Sequence, residues 1–554
     1  MMGSKRIKRK GREPESDAII DLTHLLGDGP LRRDLLLEYL HAIQDAYGCL
    51  SIKHLVALAE IIQIPQVEVY EIATFYAYFD IVGEAGAQPP ITTVRICDSL
   101  TCSLFGGENL LKSVEGDVDP TVRVQRAPCM GRCDHAPIAL VNKRYIERAN
   151  GELIKSCLAG GAKMNAQPLI GSYQGLPSYL AEGGYKILKK IRRGEKLRAD
   201  VLDELVNSGL KGLGGAGFST GRKWGLINPR DNPLMAVNAD EGEPGTFKDR
   251  HVLTTAPHQF LEGVLIAAAV GSVREVYIYL RAEYPDCYII LPQELEAIKQ
   301  AALIGDVVVH LRRGAGAYIC GEESAMLESL EGKRGEPRHK PPFPTTKGLF
   351  GRPTLVNNVE TLYWIPKILK GDTDWFDNHG KRGTSGWRLY SVSGRVAEPG
   401  VKLAPVGVTA RELIDQYSGG ISDGHVFKAY LPGGASGGLL PAFLADLPLD
   451  FNALDDYGCF VGSGALIVLG ERDSIIEVNR NLMKFFEDES CGQCTPCRVG
   501  CTKMLELMSQ PKWDKELIGE LSSVMADASI CGLGQAAPTA LLKSLQFFDE
   551  DLPT

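Results

Sequence analysis

The sequence lacks any apolar stretch long enough to cross a bilayer. Its most apolar run, GVLIAAAVG at 263–271, falls well short of the roughly 20 residues that a spanning helix needs. No apolar core follows the N-terminal charges, so nothing there resembles a secretory signal. Positive charge is also in short supply. With 60 Lys and Arg against 69 Asp and Glu, the net charge is −9, which argues against nucleic acid as the main partner. The one basic block, KRIKRKGR at 5–12, reads as a disordered tail or, in a sharper reading, as a docking arm for an acidic partner. There is no internal repeat and no Walker loop. What is left is a soluble, cytoplasmic chain of 554 residues, too long for one core. In that compartment thiols stay reduced, so 14 cysteines point to metal or redox chemistry before disulfides.

Texture divides the chain. Residues 1–30 are expected to be a disordered basic tail. Residues 31–86 carry apolar positions at helical spacing, in LLLEYLHAIQDAYG and SIKHLVALAEIIQIP divided by Gly48, and predict a helical bundle. Residues 87–160 alternate like short strands around one helix, a small α+β domain. Residues 161–186, rich in Gly, Ala, Pro and Ser, read as a linker. From 187 to 384 helices alternate with the apolar strands PLMAVN, EVYIYL and VVVHL, which predicts an α/β domain with a mostly parallel sheet. Residues 385–470 shift to strands and Gly-rich turns, and 471–554 are helical again.

Two cysteine constellations stand out. Cys491, Cys494 and Cys497 form C-x2-C-x2-C in the run ESCGQCTPCRVGC. One tight loop can thus aim three thiolates at three corners of a cubane, and a [4Fe–4S] cluster needs four. Cys501 and Cys531 are the candidates for the fourth. Cys501 would complete the bacterial ferredoxin run, but that run ligates a second cluster and continues with proline, whereas Thr502 follows here and no second C-x2-C-x2-C exists. Cys531, in ASICGLGQAAP, has small neighbours that admit close backbone approach and is preferred. The second set is Cys97, Cys102, Cys129 and Cys133, a C-x4-C and a C-x3-C separated by 26 residues. Each pair follows a predicted strand, and four cysteines without histidine suit a [2Fe–2S] cluster. Structural zinc is the competing reading for both sets, although zinc sites usually pair two short knuckles. The remaining single cysteines read as buried small hydrophobes.

Three segments rich in glycine and acid complete the picture. GLKGLGGAGFSTGRKW at 209–224 exposes backbone N–H groups at Gly212, Gly214, Gly215 and Gly217 and adds the charge of Lys223. NADEGEPGTFKDR at 238–250 follows a strand and carries acids able to bond ribose hydroxyls and to repel a 2′-phosphate, favouring NAD over NADP. A solvated acidic loop is the bland alternative. GAGAYICGEESAMLESLEG adds Tyr318, Glu322 and Glu323 at a helix start, and PTLVNNVETL adds Asn357, Asn358 and Thr361.

Together these motifs resemble two modules of the NADH dehydrogenase (respiratory complex I) family. The four-cysteine spacing and ATFYAYFD make residues 31–160 look like the 24-kilodalton-type subunit, a helical bundle followed by a thioredoxin-like [2Fe–2S] ferredoxin. GGAGF, TGRKW, NADEGEPGTFKDR, YICGEESA, VNNVETL, ESCGQCTPCRVG and SICGLG make residues 187–554 look like the 51-kilodalton-type flavoprotein. The resemblance implies a Rossmann-like FMN/NAD domain at 187–384, a β-grasp domain at 385–470 and a helical [4Fe–4S] domain at 471–554. It implies FMN at Gly212, Gly214, Lys223, Asn238, Asp240, Glu241, Tyr318, Gly321, Glu322, Asn357, Asn358 and Thr361. It implies NAD(H) at Ala216, Phe218, Glu243, Glu323 and Phe343, with Glu243 positioning the nicotinamide and no acid–base catalyst. Leu213 stands where the family often has arginine.

A flavin is the required converter between two-electron NAD and one-electron clusters. HQFLEGVLIAA, RLYSVSGRVAEPGVKLAP and YLPGGASGGLLPA look most like the β (diaphorase) subunit of NAD-dependent formate dehydrogenase. That implies a larger partner subunit with a molybdenum or tungsten cofactor and further iron–sulfur clusters. The diaphorase of an NAD-reducing hydrogenase and the NADH-input module of a respiratory NADH dehydrogenase are the alternatives. A bifurcating hydrogenase subunit usually carries further C-terminal cysteines, and none follows Cys531.

Overall fold

The computed structural model describes residues 11–83, 86–160, 170–371 and 380–553. Four helices open it: Ser16–Leu26, Leu36–Tyr47, Ile52–Ile62 and Gln66–Phe75. The expected division at Gly48 is present, with this residue left-handed and its N–H closing on the Gln44 carbonyl at 2.8 Å. The expected tail at 1–30 is corrected in part. Ser16–Leu26 is a helix whose Ala18 and Leu22, one turn apart, are fully buried in the same core as the next helices. A short apolar stripe of that kind is enough once a neighbouring helix covers it. Residues 1–10, with most of the basic block, lie outside the described residues.

Two short segments, β1 (Leu50–Ser51) and β2 (Ile81–Val82), pair beside these helices. The next unit holds β3 (Thr92–Cys97), β4 (Val122–Ala127), β5 (Ala139–Val141) and β6 (Arg144–Ile146), in a sheet ordered β4-β3-β5-β6. β3 and β4 run parallel, with helix Gly107–Asp117 between them in sequence. Of the expected linker, residues 161–169 lie outside the described residues. The rest is docked: helix Leu176–Ala181 buries Tyr179, whose hydroxyl donates to Glu262 Oε2 at 2.6 Å.

The α/β domain is built on β7 (Leu234–Ala239), β8 (Glu275–Leu280), β9 (Val308–Arg313) and β10 (Thr354–Asn358). They form a wholly parallel sheet in the order β10-β7-β8-β9. The most apolar run of the sequence falls in helix Pro257–Gly271, of whose 15 residues 14 are buried. A Cβ at Gly263 would stand 2.0 Å from the Leu362 carbonyl, so glycine is what lets this helix lie against Val359–Leu369. Among the described residues no helix is long and apolar enough to cross a membrane.

The strands that follow are β11 (Trp387–Gly394), β12 (Gly400–Pro405), β13 (Phe427–Leu431), β14 (Leu440–Pro441) and β15 (Ala465–Gly470). They make a mixed five-stranded sheet in the order β12-β11-β15-β13-β14. β11 pairs parallel with β15 and antiparallel with β12. Helices Ile475–Asp488, Thr495–Met508, Lys515–Ala528, Gly532–Ala536 and Thr539–Phe547 end the chain.

Candidate functional site

In the parallel sheet β7, first in the sequence, lies between β8 and β10, so the connections diverge at the gap between β7 and β10. Ligands sit at the carboxyl ends of strands at such a point. There the structure opens a cavity of about 990 Å3, and every residue expected at FMN or NAD(H) lines it. The glycine loop, the strand ends Asn238–Asp240 and Asn357–Asn358, and the Tyr318–Glu323 turn meet here from four separate segments. Local bonds fix them. Leu213 N–H donates to Thr361 Oγ1 at 2.9 Å, Lys223 Nζ to the Val356 carbonyl at 2.9 Å, and Asn238 Nδ2 to the Gly321 carbonyl at 2.8 Å. Trp224 Nε1 donates to Asn357 Oδ1 at 3.2 Å. Leu213 itself is buried in the core, so no arginine charge stands at this turn.

Among the described residues, three buried polar atoms of residues lining this space lack a partner: Asp240 Oδ2, Asn357 Nδ2 and Thr220 Oγ1. Buried polar atoms are ordinarily bonded, so a polar ligand is called for. The glycine wall leaves room for it, since a Cβ at Gly215 would meet nothing within 4 Å. The carboxyls are unusual. Burial pushes Asp240 up to about 8 and Glu241 up to about 7, against the N–H bonds that Asp249 and Arg250 give Glu241. Burial also raises Glu243 and lowers Lys223. These features fit a flat, polar, phosphate-bearing cofactor such as FMN, with room beside it for a dinucleotide.

Glu243 is not a free carboxylate. It accepts Ser436 N–H at 2.7 Å and the Tyr318 hydroxyl. Glu323 is bridged at 2.7 Å by Lys340, which also reaches Glu322 at 3.0 Å. Phe218 and Phe343, each exposed over at least half its surface, stand at the mouth. Sequence reasoning missed Lys340, Ser436, Phe460, Lys248 and the Gly532–Leu533 pair. Lys248 was legible inside the acidic motif and Gly532 beside Cys531; Ser436 and Phe460 come from the β-rich domain and carried no signal.

The first cysteine set gathers as its strands dictate. Cys97 ends β3 in register with Ala127, which ends β4, so Cys102 and the Cys129–Cys133 loop meet at one end of the sheet. All four are buried, with Cys129 and Cys133 sulfurs 3.4 Å apart. The Cys133 thiol holds Cys129 down to about 6, helped by Arg281 and the N–H groups of Gly131 and Gly245. Gly245 belongs to the acidic loop of the cavity, so that loop touches both sites. In the second set Cys491 and Cys494 lie on the loop after helix Ile475–Asp488, and Cys497 starts helix Thr495–Met508. Cys501, one turn on, is fully buried and bonds Cys497. Cys531 precedes helix Gly532–Ala536, faces Cys491, and accepts N–H groups from Leu533 and Gly534; burial nonetheless raises it to about 12. Converging thiols with N–H donors suit thiolate ligands of a cluster. Among the described residues no set of three His, Cys, Asp or Glu side chains is arranged for a single metal ion.

A flavin-sized cavity flanked by two cysteine seats defines an iron–sulfur flavoprotein. The Nuo51 FMN-binding domain profile matches residues 205–367, the thioredoxin-like [2Fe–2S] ferredoxin profile 22–161, and the NADH-ubiquinone oxidoreductase-F iron-sulfur binding region 477–554. The F-type chain of the NADH-quinone oxidoreductase of Aquifex aeolicus is 40% identical over 394 residues, 68% of this chain and 90% of that protein. The HndC chain of the NADP-reducing hydrogenase of Solidesulfovibrio fructosivorans is 38% identical over 68% of this chain and 79% of its own. A chain of an NAD+-reducing [NiFe]-hydrogenase in the H2-reduced state superposes with a TM-score of 0.82 at 29% identity, covering 94% of this chain and 92% of that one. The chain therefore belongs to the NADH dehydrogenase flavoprotein family, as a fused 24/51-kilodalton-type module. It is an NAD(H)-dependent oxidoreductase with domains for FMN, one [2Fe–2S] and one [4Fe–4S] cluster.

Proposed function

We propose that this chain is the NAD-facing subunit of a cytoplasmic multi-subunit oxidoreductase, exchanging a hydride between NAD(H) and FMN and passing single electrons through its [4Fe–4S] and [2Fe–2S] clusters between the flavin and a partner. FMN, when bound, supplies the conversion between paired and single electrons. The observation that carries the reading is the shared wall: Gly532, Leu533 and Ala536, just after Cys531, line the same cavity as the flavin-loop residues. Gly212, Gly214, Lys223, Asn238, Asp240, Glu241, Tyr318, Gly321, Glu322, Asn357, Asn358 and Thr361 hold the flavin. Ala216, Phe218, Glu323 and Phe343 receive the dinucleotide from the mouth, and Glu243, locked by Tyr318 and Ser436, orients the nicotinamide. Cys491, Cys494, Cys497 and Cys531 ligate the cubane; Cys97, Cys102, Cys129 and Cys133 ligate the [2Fe–2S] cluster. The residues bind, orient and exclude water, and none acts as acid or base.

The electron source we infer is formate, oxidised at a molybdenum or tungsten site in a larger subunit; the motif wording supports it. Hydrogen is the second reading, supported by the likeness to the NAD+-reducing hydrogenase chain along 94% of this one. A respiratory role is less well supported, because the Aquifex aeolicus relative matches only 68% of the chain. The test follows absorbance at the NADH wavelength. The reconstituted chain alone reduces ferricyanide or viologens with NADH but makes no NADH from formate or hydrogen; its natural complex makes NADH from formate. Formate-driven NADH from the chain alone overturns the division of labour, and a hydrogen-driven, formate-inert complex transfers the assignment to the hydrogenase reading.

A further inference from the structure

Ala239 of β7 pairs in register with Leu280 of β8, so Asp240–Glu241 and Arg281 leave the parallel sheet side by side. Arg281 is only 4% exposed. Its Nη1 donates to the Glu241 carbonyl, and its Nη2 donates to the Cys129 carbonyl at 2.6 Å across 152 residues of sequence. Its Nε donates to Glu283 Oε2 at 3.2 Å. One rigid, planar fork thus ties a cavity residue to a cysteine of the first set, and lysine cannot reproduce that geometry. The same seat has supporting bonds from Arg250 Nε to the Gly131 carbonyl at 2.8 Å and from the Tyr145 hydroxyl to the Glu283 carbonyl at 2.7 Å. Of these groups only Arg281 brings a buried cation to the carbonyl of a cysteine in the set while also holding the flavin loop.

A fixed positive charge in a dry environment stabilises whichever state of its neighbour is more negative. For an iron–sulfur cluster that is the reduced state, and hydrogen bonding and charge around the ligands are the protein's means of setting its potential. We propose that Arg281 is a positioning residue that seats the Cys129–Cys133 loop on the flavin loop and holds the midpoint potential of the [2Fe–2S] centre up, while Glu283 counterbalances it. The proposal rests on the assignment of Cys97, Cys102, Cys129 and Cys133 made above.

The test is a redox titration of the full chain, loaded with FMN and both clusters and followed by electron paramagnetic resonance. Arg281→Met shifts the [2Fe–2S] midpoint to lower potential and leaves the [4Fe–4S] midpoint in place. Arg281→Lys restores most of the potential but keeps an altered line shape, because one ammonium cannot hold both carbonyls in the fork. Glu283→Gln shifts the same midpoint upward. If Arg281→Met loses the cluster altogether, the lysine and Glu283→Gln variants decide by the sign of their shifts. A [2Fe–2S] midpoint that stays at the wild-type value in Arg281→Met, or fails to rise in Glu283→Gln, overturns the role of Arg281. A wild-type chain with no [2Fe–2S] signal instead overturns the cysteine assignment, and the proposal with it.

Discussion

The two cysteine seats flank one cavity but are built in opposite ways. In the first, Cys97, Cys102 and Cys129 are each about 1% exposed, closed in by a loop that another domain contributes. In the second, Cys491 and Cys494 on one loop and Cys531 on another are only partly buried. A buried seat tied to the flavin loop through Arg281 suits a centre that communicates with the flavin alone. A surface seat whose last cysteine leads straight into the cavity wall suits a port for exchange with a partner. Both seats offer four cysteines, so what separates them is burial and not ligand count.

The strongest way to break this comparison is to remove one port ligand. Cys531→Ala is expected to abolish the [4Fe–4S] resonance while the [2Fe–2S] resonance survives, because the first seat is held by bonds from its own loop and the flavin domain. Cys501→Ala keeps both signals, since Cys501 is packed in the helical core, where its thiol bonds Cys497. The reverse pattern would exchange the roles of Cys501 and Cys531.

The next effect is on stability and falls on the loop between the seats. Lys248 is fully buried, 2.8 Å from Asp249 and 3.0 Å from Glu360. Asp249 Oδ2 in turn accepts Asn358 Nδ2 at 2.6 Å, and Glu360 Oε1 accepts the Leu389 N–H at 2.7 Å, joining the flavin loop to the β-rich domain. Lys248→Met leaves two buried carboxylates without their cation and costs about 3–5 kcal/mol. Chemical denaturation should show the unfolding midpoint lowered. An unchanged midpoint would mean that the loop is held from the cysteine side instead.

Much of this was legible in the sequence, for identifiable reasons. Cysteine spacing announces a cluster because ligands must reach corners of a fixed core, and strands ending at Cys97 and Ala127 bring distant pairs together. The cavity residues sit in glycine and acid motifs whose backbone demands are local. Lys340, Ser436 and Arg281 were not legible, because each acts through a partner outside its own motif. Ser16–Leu26 was missed because charge dominates its flank and its buried stripe is short.

A smaller effect concerns pH. Asp240, raised by burial to about 8 from an unfolded value near 3.8, contributes stability that is fully present below about pH 4 and is lost as pH rises through 8. Without cofactor, the chain should lose stability between pH 5 and 8, and Asp240→Asn should flatten that slope. A slope equally steep in the variant would assign the titration to the neighbouring Glu241, which burial raises to about 7.

The smallest expected effect is on nucleotide choice, and it sharpens the comparison because both seats draw on one entry. Glu243 is committed to Ser436 and Tyr318, so rejection of a 2′-phosphate falls to Glu323 at the mouth. Its charge is partly offset by Lys340, 2.7 Å away, which limits the discrimination it can give. The wild type should favour NADH over NADPH in kcat/KM by about 10-fold, on the order of 1.4 kcal/mol. Glu323→Gln removes one carboxylate from the mouth, leaves Lys340 paired with Glu322 alone, and should narrow that ratio. Because the change acts before any electron reaches either seat, NADPH should then reduce the [2Fe–2S] and [4Fe–4S] centres in the same proportion as NADH does. Rapid-freeze resonance spectra after mixing measure that proportion directly. Selective filling of one centre by NADPH would show that the two seats receive electrons from differently bound nucleotides, and the single shared entry would have to be given up.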